Sequence, residues 1–248
     1  MARGERKRNN ASMEQRNPVT VANEPLADAR DMFAIHTVFR REFGLMPDLV
    51  RNVADGDLSR TMLVADHIAR VSLLLHVHHT EEDKHVWPPL LKRGNAEITS
   101  LVYAMEDEHE EIFEYLEQVE EGRKSWIQTA YAEARDAVAD AVERLLPVLK
   151  RHLAEEEEHI VPLIEQYITA AEWARIPQEA AANIPPDEFP TIFGMIAYEG
   201  DPDVVDMIVA EMPPEMRPFI KEIGSKAYAM YAQTLYGTST PARVTKAA

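Results

Sequence analysis

Two segments of this chain carry residues whose types and spacing suit metal chemistry. The first is His78-His79-Thr80-Glu81-Glu82-Asp83-Lys84-His85-Val86-Trp87-Pro88; the second is His152-Leu153-Ala154-Glu155-Glu156-Glu157-Glu158-His159-Ile160-Val161-Pro162. Both follow His-x3-Glu-x2-His-x2-Pro. On a helix, positions i, i+4 and i+7 share a face. His78, Glu82 and His85 are therefore expected to project together, as are His152, Glu156 and His159. Imidazole beside carboxylate favours iron, zinc or manganese over calcium or magnesium.

An acidic helical run with histidines is ordinarily a solvated face, and either segment alone carries little weight. The repetition carries more. His36 and His109 stand 42 and 43 residues before the two segments. Around them, Met32, His36, Phe39 and Phe43 match Met105, His109, Ile112 and Leu116 at an offset of 73. The chain reads as two corresponding halves.

Long helices must position these residues. The 248 residues allow one large or two small domains, and 46% apolar content allows a real core. Glycine is scarce, and no alternation of apolar and polar residues suggests a sheet. The first 24 residues read as a mobile polar tail. Helical patterns then run over 26–53, 58–91, 96–121 and 129–167, with Gly122 as a stop and distortions at Pro147 and Pro162. This is an all-α, up-down-up-down four-helix bundle over 25–168, whose core can hold metal between facing side chains. Residues 169–248 are proline-rich, with short helices near 170–175, 189–197, 202–210 and 214–236. They are expected to form a helical C-terminal extension that packs on the bundle or makes a homodimer contact.

Composition excludes several classes. The chain has no cysteine, so disulfides, thiolate metal sites and iron–sulfur clusters are out. A formal charge of −17 argues against nucleic acid and anionic membrane surfaces as partners. The basic Met1–Arg8 stretch is followed by no apolar region, so a cytoplasmic protein without a secretory signal is expected. Apolar runs such as 71–75 are too short to span a bilayer.

With both halves in view, the sequence resembles the hemerythrin-like (HHE cation-binding) proteins over roughly 26–167. The residues that carry the resemblance are His36, His78-His79-x2-Glu82-Asp83-x2-Val86-Trp87-Pro88, His109 and His152-x3-Glu156-x5-Pro162. The extension resembles those of actinobacterial members. The resemblance implies a non-haem di-iron centre with an oxo or hydroxo bridge. In it His36, His78, His109 and His152 are terminal ligands, and Glu82 and Glu156 bridge the two irons. Zinc or manganese fits similar ligands. The oxygen-carrying members have a second histidine one turn along the third helix. Here Met105 and Phe113 stand at the candidate positions. His85 and His159 are additional; each either binds metal or hydrogen-bonds the ligands. His79 and Asp83, rotated by about 100° on the helix, are expected to support rather than bind. His67 reads as structural or at a pocket mouth, and His76 as solvated.

The Glu82-x2-His85 and Glu156-x2-His159 pairs also suit a ferritin-like di-iron site or an iron-handling oxidase, which needs a glutamate from each other helix. Glu42 supplies one, but its counterpart is Tyr115. The hemerythrin-like reading is preferred. It implies dioxygen, peroxide or nitric oxide as reactants, with redox sensing or catalase-like peroxide removal ahead of oxygen carriage. Tyr103 or Tyr115 could line the pocket, and no catalytic residue is expected beyond the metal shell. A metal-responsive regulatory module and a metal-free structural bundle are the remaining readings.

Overall fold

The computed structural model describes residues 24–243, so the expected N-terminal tail lies almost wholly outside the described residues. Every regular element among them is helical. The bundle consists of α1 (Arg30–Arg51), α2 (Leu58–His85) continued by α3 (Trp87–Arg93), α4 (Ala96–Thr129), and α5 (Ala132–Glu155) continued by a π-helical turn (Glu156–Ile160) and α6 (Val161–Tyr167). α1 packs on α2 and α5, and α4 packs on the same two. That closes the ring of an up-down-up-down bundle.

Local chemistry sets the boundaries. Asp57 caps α2 by accepting from the Arg60 amide, and Asn95 caps α4 by accepting from Glu97 and Ile98. Residues 26–29 are not helical as expected. Ala27 N–H donates to Ile168 O, and Ala170 N–H donates to Pro25 O, which ties the two ends of the bundle together. Gly122 does not stop α4. Its missing side chain lets α5 approach, since a Cβ there would lie 3.2 Å from Val138 Cγ2. The helix runs on to Ala130, which takes the left-handed cap conformation. Pro147 leaves α5 unbroken because it lies on the exposed face, where the carbonyl it frees can be solvated.

The helices do break where both halves carry their second proline. α2 ends at His85, capped by Val86, and Pro88 falls in the first turn of α3. In the other half the backbone widens into the π turn, and Pro162 enters the first turn of α6. Both breaks free the carbonyl with which the proline ring would collide. π turns of this kind often mark functional sites.

Two apolar clusters fill the bundle. One holds Phe39, Phe43, Leu75, Ile112 and Leu153; the other holds Met32, Val86, Trp87, Met105 and Ile160. On α1, His36 falls between Met32 and Phe39; on α4, His109 falls between Met105 and Ile112. All eight residues paired at the offset of 73 are buried. A polar layer is thus enclosed between two dry ones.

The extension comprises α7 (Ala170–Trp173), α8 (Arg175–Ala182), α9 (Phe189–Glu199), α10 (Pro202–Glu211) and α11 (Arg217–Tyr236). It packs on the bundle: Ile192 and Leu235 join the larger apolar cluster, and Val38 of α1 packs with Met195, Tyr228 and Ala232. α9 and α11 cross at Gly194 and Gly224, where a Cβ on Gly194 would overlap the Gly224 carbonyl. Among the described residues no helix is long and apolar enough to cross a membrane.

Candidate metal centre

The polar layer is built from five histidines and two glutamates. α1 supplies His36, α2 supplies His78, His79 and Glu82, α4 supplies His109, and α5 with its π turn supplies His152 and Glu156. Glu156 and the ring nitrogens of His36 and His152 are fully buried. His36 Nε2 lies 3.2 Å from His78 Nε2 and 3.4 Å from Glu156 Oε2. His78 Nε2 is 3.3 Å from Glu82 Oε1. Around an ion with bonds of about 2.0–2.1 Å, tetrahedral donors stand roughly 3.3 Å apart. His36, His78, Glu82 and Glu156 therefore enclose one candidate position.

The other position lies across the carboxylates. Glu82 turns its second oxygen, Oε2, to His109 Nε2 at 3.7 Å. Glu156 Oε2 is 3.5 Å from His152 Nε2 as well. His79, His109 and His152 converge as a second potential ligand group. The His79 and His109 rings stack with centroids 4.0 Å apart. Each glutamate thus faces both groups, as a bridging carboxylate must.

Seven of the donor atoms have no other use. His79, His109 and His152 Nε2, together with both oxygens of Glu82 and of Glu156, are buried and make no hydrogen bond. Buried polar atoms are rarely left so, because an unmade bond costs about 1–3 kcal/mol each. Seven such atoms facing a common space fit a cation-binding centre.

The opposite ring nitrogens are held. His109 Nδ1 is 2.7 Å from Asp83 Oδ1, His36 Nδ1 is 3.0 Å from Glu157 Oε1, and His152 Nδ1 is 3.0 Å from Glu108 Oε2. Arg40 donates to Glu157, and Arg151 to Glu108. A carboxylate at Nδ1 keeps the proton there and leaves the Nε2 lone pair for metal.

At His78 and His79 electrostatics prepare the same state. Burial, then the charge on His36, holds the His78 imidazole well below its usual range; burial, then His109, does so for His79. Both are neutral near pH 7, the form that ligates metal. Burial also presses on His36, but Glu156 and Glu157 outweigh it and raise its pKa. Burial and the facing Glu156 push the Glu82 carboxyl well up. Burial opposes ionisation of Glu156 too, yet His152 and His36 carry it down.

The hemerythrin HHE cation-binding domain matches residues 28–169, the span that contains all seven of these side chains. The chain belongs to the hemerythrin HHE cation-binding family. No curated protein and no solved structure matches it.

Within this hemerythrin-type domain the structure brings together His36, His78, Glu82, His109, His152 and Glu156, the residues singled out by the repeat. It leaves out His85 and His159. His159 lies within the π turn, whose wider winding takes position i+3 off the face of Glu156, and it is exposed. His85 lies beyond the centre, against Glu81 and Glu179. His79 is the residue sequence reasoning missed as a donor. Its signal was the equivalent position in the other half, Leu153: the two halves differ there, and only one carries a third imidazole. It comes from α2 rather than from the third long helix. Tyr103 is exposed. Glu42, which a ferritin-like site would need, is engaged elsewhere, by Arg41 and Tyr236.

Proposed function

We propose that this domain holds two non-haem iron ions, one at His36 and His78, the other at His79, His109 and His152, bridged by Glu82 and Glu156. We infer that the pair binds or reacts with dioxygen, peroxide or nitric oxide, in redox sensing or catalase-like peroxide removal. The observation that carries this reading is the set of seven buried atoms with no hydrogen bond, the Nε2 of His79, His109 and His152 and the four oxygens of Glu82 and Glu156, with His36 and His78 gathered on the other side of the carboxylates. Iron at such a site supplies one-electron chemistry and an exchangeable position for a small oxidant. The protein's own part is positioning and exclusion of water. Asp83, Glu108 and Glu157 keep the Nδ1 protons in place, and the flanking apolar layers keep the centre dry. The unequal imidazole count, two against three, makes the two positions chemically distinct, so an incoming ligand would meet one of them preferentially.

The test is anaerobic reconstitution of the full chain with ferrous iron, followed by elemental analysis and exposure to dioxygen, peroxide and nitric oxide. Two irons per chain and a change in the optical spectrum with at least one reactant are expected. Gas evolution from peroxide assigns catalase-like turnover; a reversible spectrum with dioxygen assigns binding. Failure to retain iron, or an inert spectrum with all three, overturns the proposal.

A further inference from the structure

A second constellation lies outside the centre, where α2 packs on α8. Glu81 and His85 stand one turn apart and face α8, from which Glu179 projects. His85 Nε2 is 3.3 Å from Glu81 Oε2 and 3.2 Å from Glu179 Oε2. These are the separations of donors around one small cation with bonds of about 2.0–2.1 Å.

The buried member has an atom to spare. The Glu81 side chain is only 4% exposed. Its Oε1 accepts from Asn183 Nδ2 at 3.5 Å, at the end of α8. Its Oε2, aimed at His85, makes no hydrogen bond, and neither does His85 Nε2. A cation is already drawn to the spot: Lys84 pairs with Glu179, and its Nζ lies 3.9 Å from Glu81 Oε2. Lys84 is half exposed on a flexible stem, so it can swing out when a better cation enters.

We propose that Glu81, His85 and Glu179 form a separate mononuclear site for a divalent first-row metal, zinc or manganese being the natural probes. One imidazole with two carboxylates selects such ions over calcium and magnesium. Glu179 is 41% exposed, so the remaining positions face solvent and the ion exchanges freely, unlike one in the enclosed centre. The second half of the duplicated sequence offers Glu155 and His159 at the same places, but among the described residues no third donor joins them. The site exists because the extension crosses the first half. Metal there clamps α8 to the helix that carries His78, His79 and Glu82. The proposal rests on these three side chains and stands whether or not the buried centre holds iron.

The experiment titrates the iron-loaded, chelator-washed full chain with Zn(II) by calorimetry and with Mn(II) by electron paramagnetic resonance, while following iron content. One added ion per chain with no iron release is expected. Glu179→Gln should weaken Zn(II) at least tenfold and leave iron content and the optical spectrum unchanged. Lys84→Ala should tighten it, since the competing ammonium is gone. Equal zinc uptake by wild type and Glu179→Gln, or zinc uptake matched by iron loss, overturns the proposal.

Discussion

Asp83 Oδ1 lies 2.7 Å from His109 Nδ1, and the same oxygen accepts from the indole of Trp87 at 2.7 Å. Asp83 follows Glu82 directly, and in the other half Glu157 follows Glu156 and holds His36. Each half's paired acids therefore serve both roles: the first faces the centre, the second orients a histidine from the opposite half. Loss of such an outer partner typically weakens metal binding by about 10- to 100-fold. Asp83→Ala should do so, measured as the chelator concentration that strips half the metal. Asp83→Asn keeps an acceptor without the charge and should fall between it and wild type. An unchanged chelator profile for Asp83→Ala would refute the orienting role.

His79→Leu makes the two halves alike, since Leu153 already occupies the corresponding buried position. The fold should survive. The group formed with His109 and His152 loses a donor, and the second metal should weaken by at least ten-fold while the first is retained. Elemental analysis after dialysis should give close to one ion per chain in place of two. Retention of both would remove His79 from the set.

Most of the bundle was legible in the sequence because it depends on local periodicity. The stripe of Met32, His36, Phe39 and Phe43 and its copy at Met105 to Leu116 required no tertiary information. Six of the seven centre residues followed from the repeat alone. What was not legible depends on departures from regular geometry or on partners distant in sequence. His159 drops out because of a π turn that only a register shift reveals. Gly122 reads as a stop until Val138 is known to press on it. His79 is one residue off the expected face, yet the core at that level is wide enough, and its stacking partner His109 close enough, to bring it in.

Gly194 tests how far the extension depends on its crossing with α11. A Cβ there would overlap the Gly224 carbonyl and sit 2.7 Å from Tyr228 Cβ, backbone on one side and a buried ring stem on the other. Neither can yield without moving a helix. Overpacking of this kind costs about 1–3 kcal/mol, and Gly194→Ala should lie toward the upper end in denaturant unfolding. Metal content should be preserved, because none of the seven centre residues lies on α9 or α11. Wild-type stability would show that the crossing is looser than described.

The extension also brings a pH dependence. His67 is fully buried where α2 meets α11. Its Nδ1 lies 2.7 Å from Tyr231 Oη, which accepts from Arg70 at 3.1 Å. The tyrosine's own proton is therefore free for Nδ1, and the imidazole proton belongs on Nε2, 3.4 Å from Glu42 Oε2. Glu42 is pushed toward its neutral form by burial, against the pull of Arg41. Burial first, then the charges of Arg70 and Arg41, lower the His67 pKa to about 3. The unfolded chain titrates this group near 6.5. Between those values the unfolded state binds a proton that the folded state refuses, so stability falls as pH drops from about 6.5 towards 3 and is unaffected by this group above that window. The slope is about 1.4 kcal/mol per pH unit. His67→Gln keeps a polar side chain and removes the titration. Comparing denaturant midpoints of the two proteins at pH 7.5, 6 and 5 should show wild type losing stability faster on the acid side. Parallel curves would mean that His67 is protonated in the folded protein, with Glu42 ionised beside it.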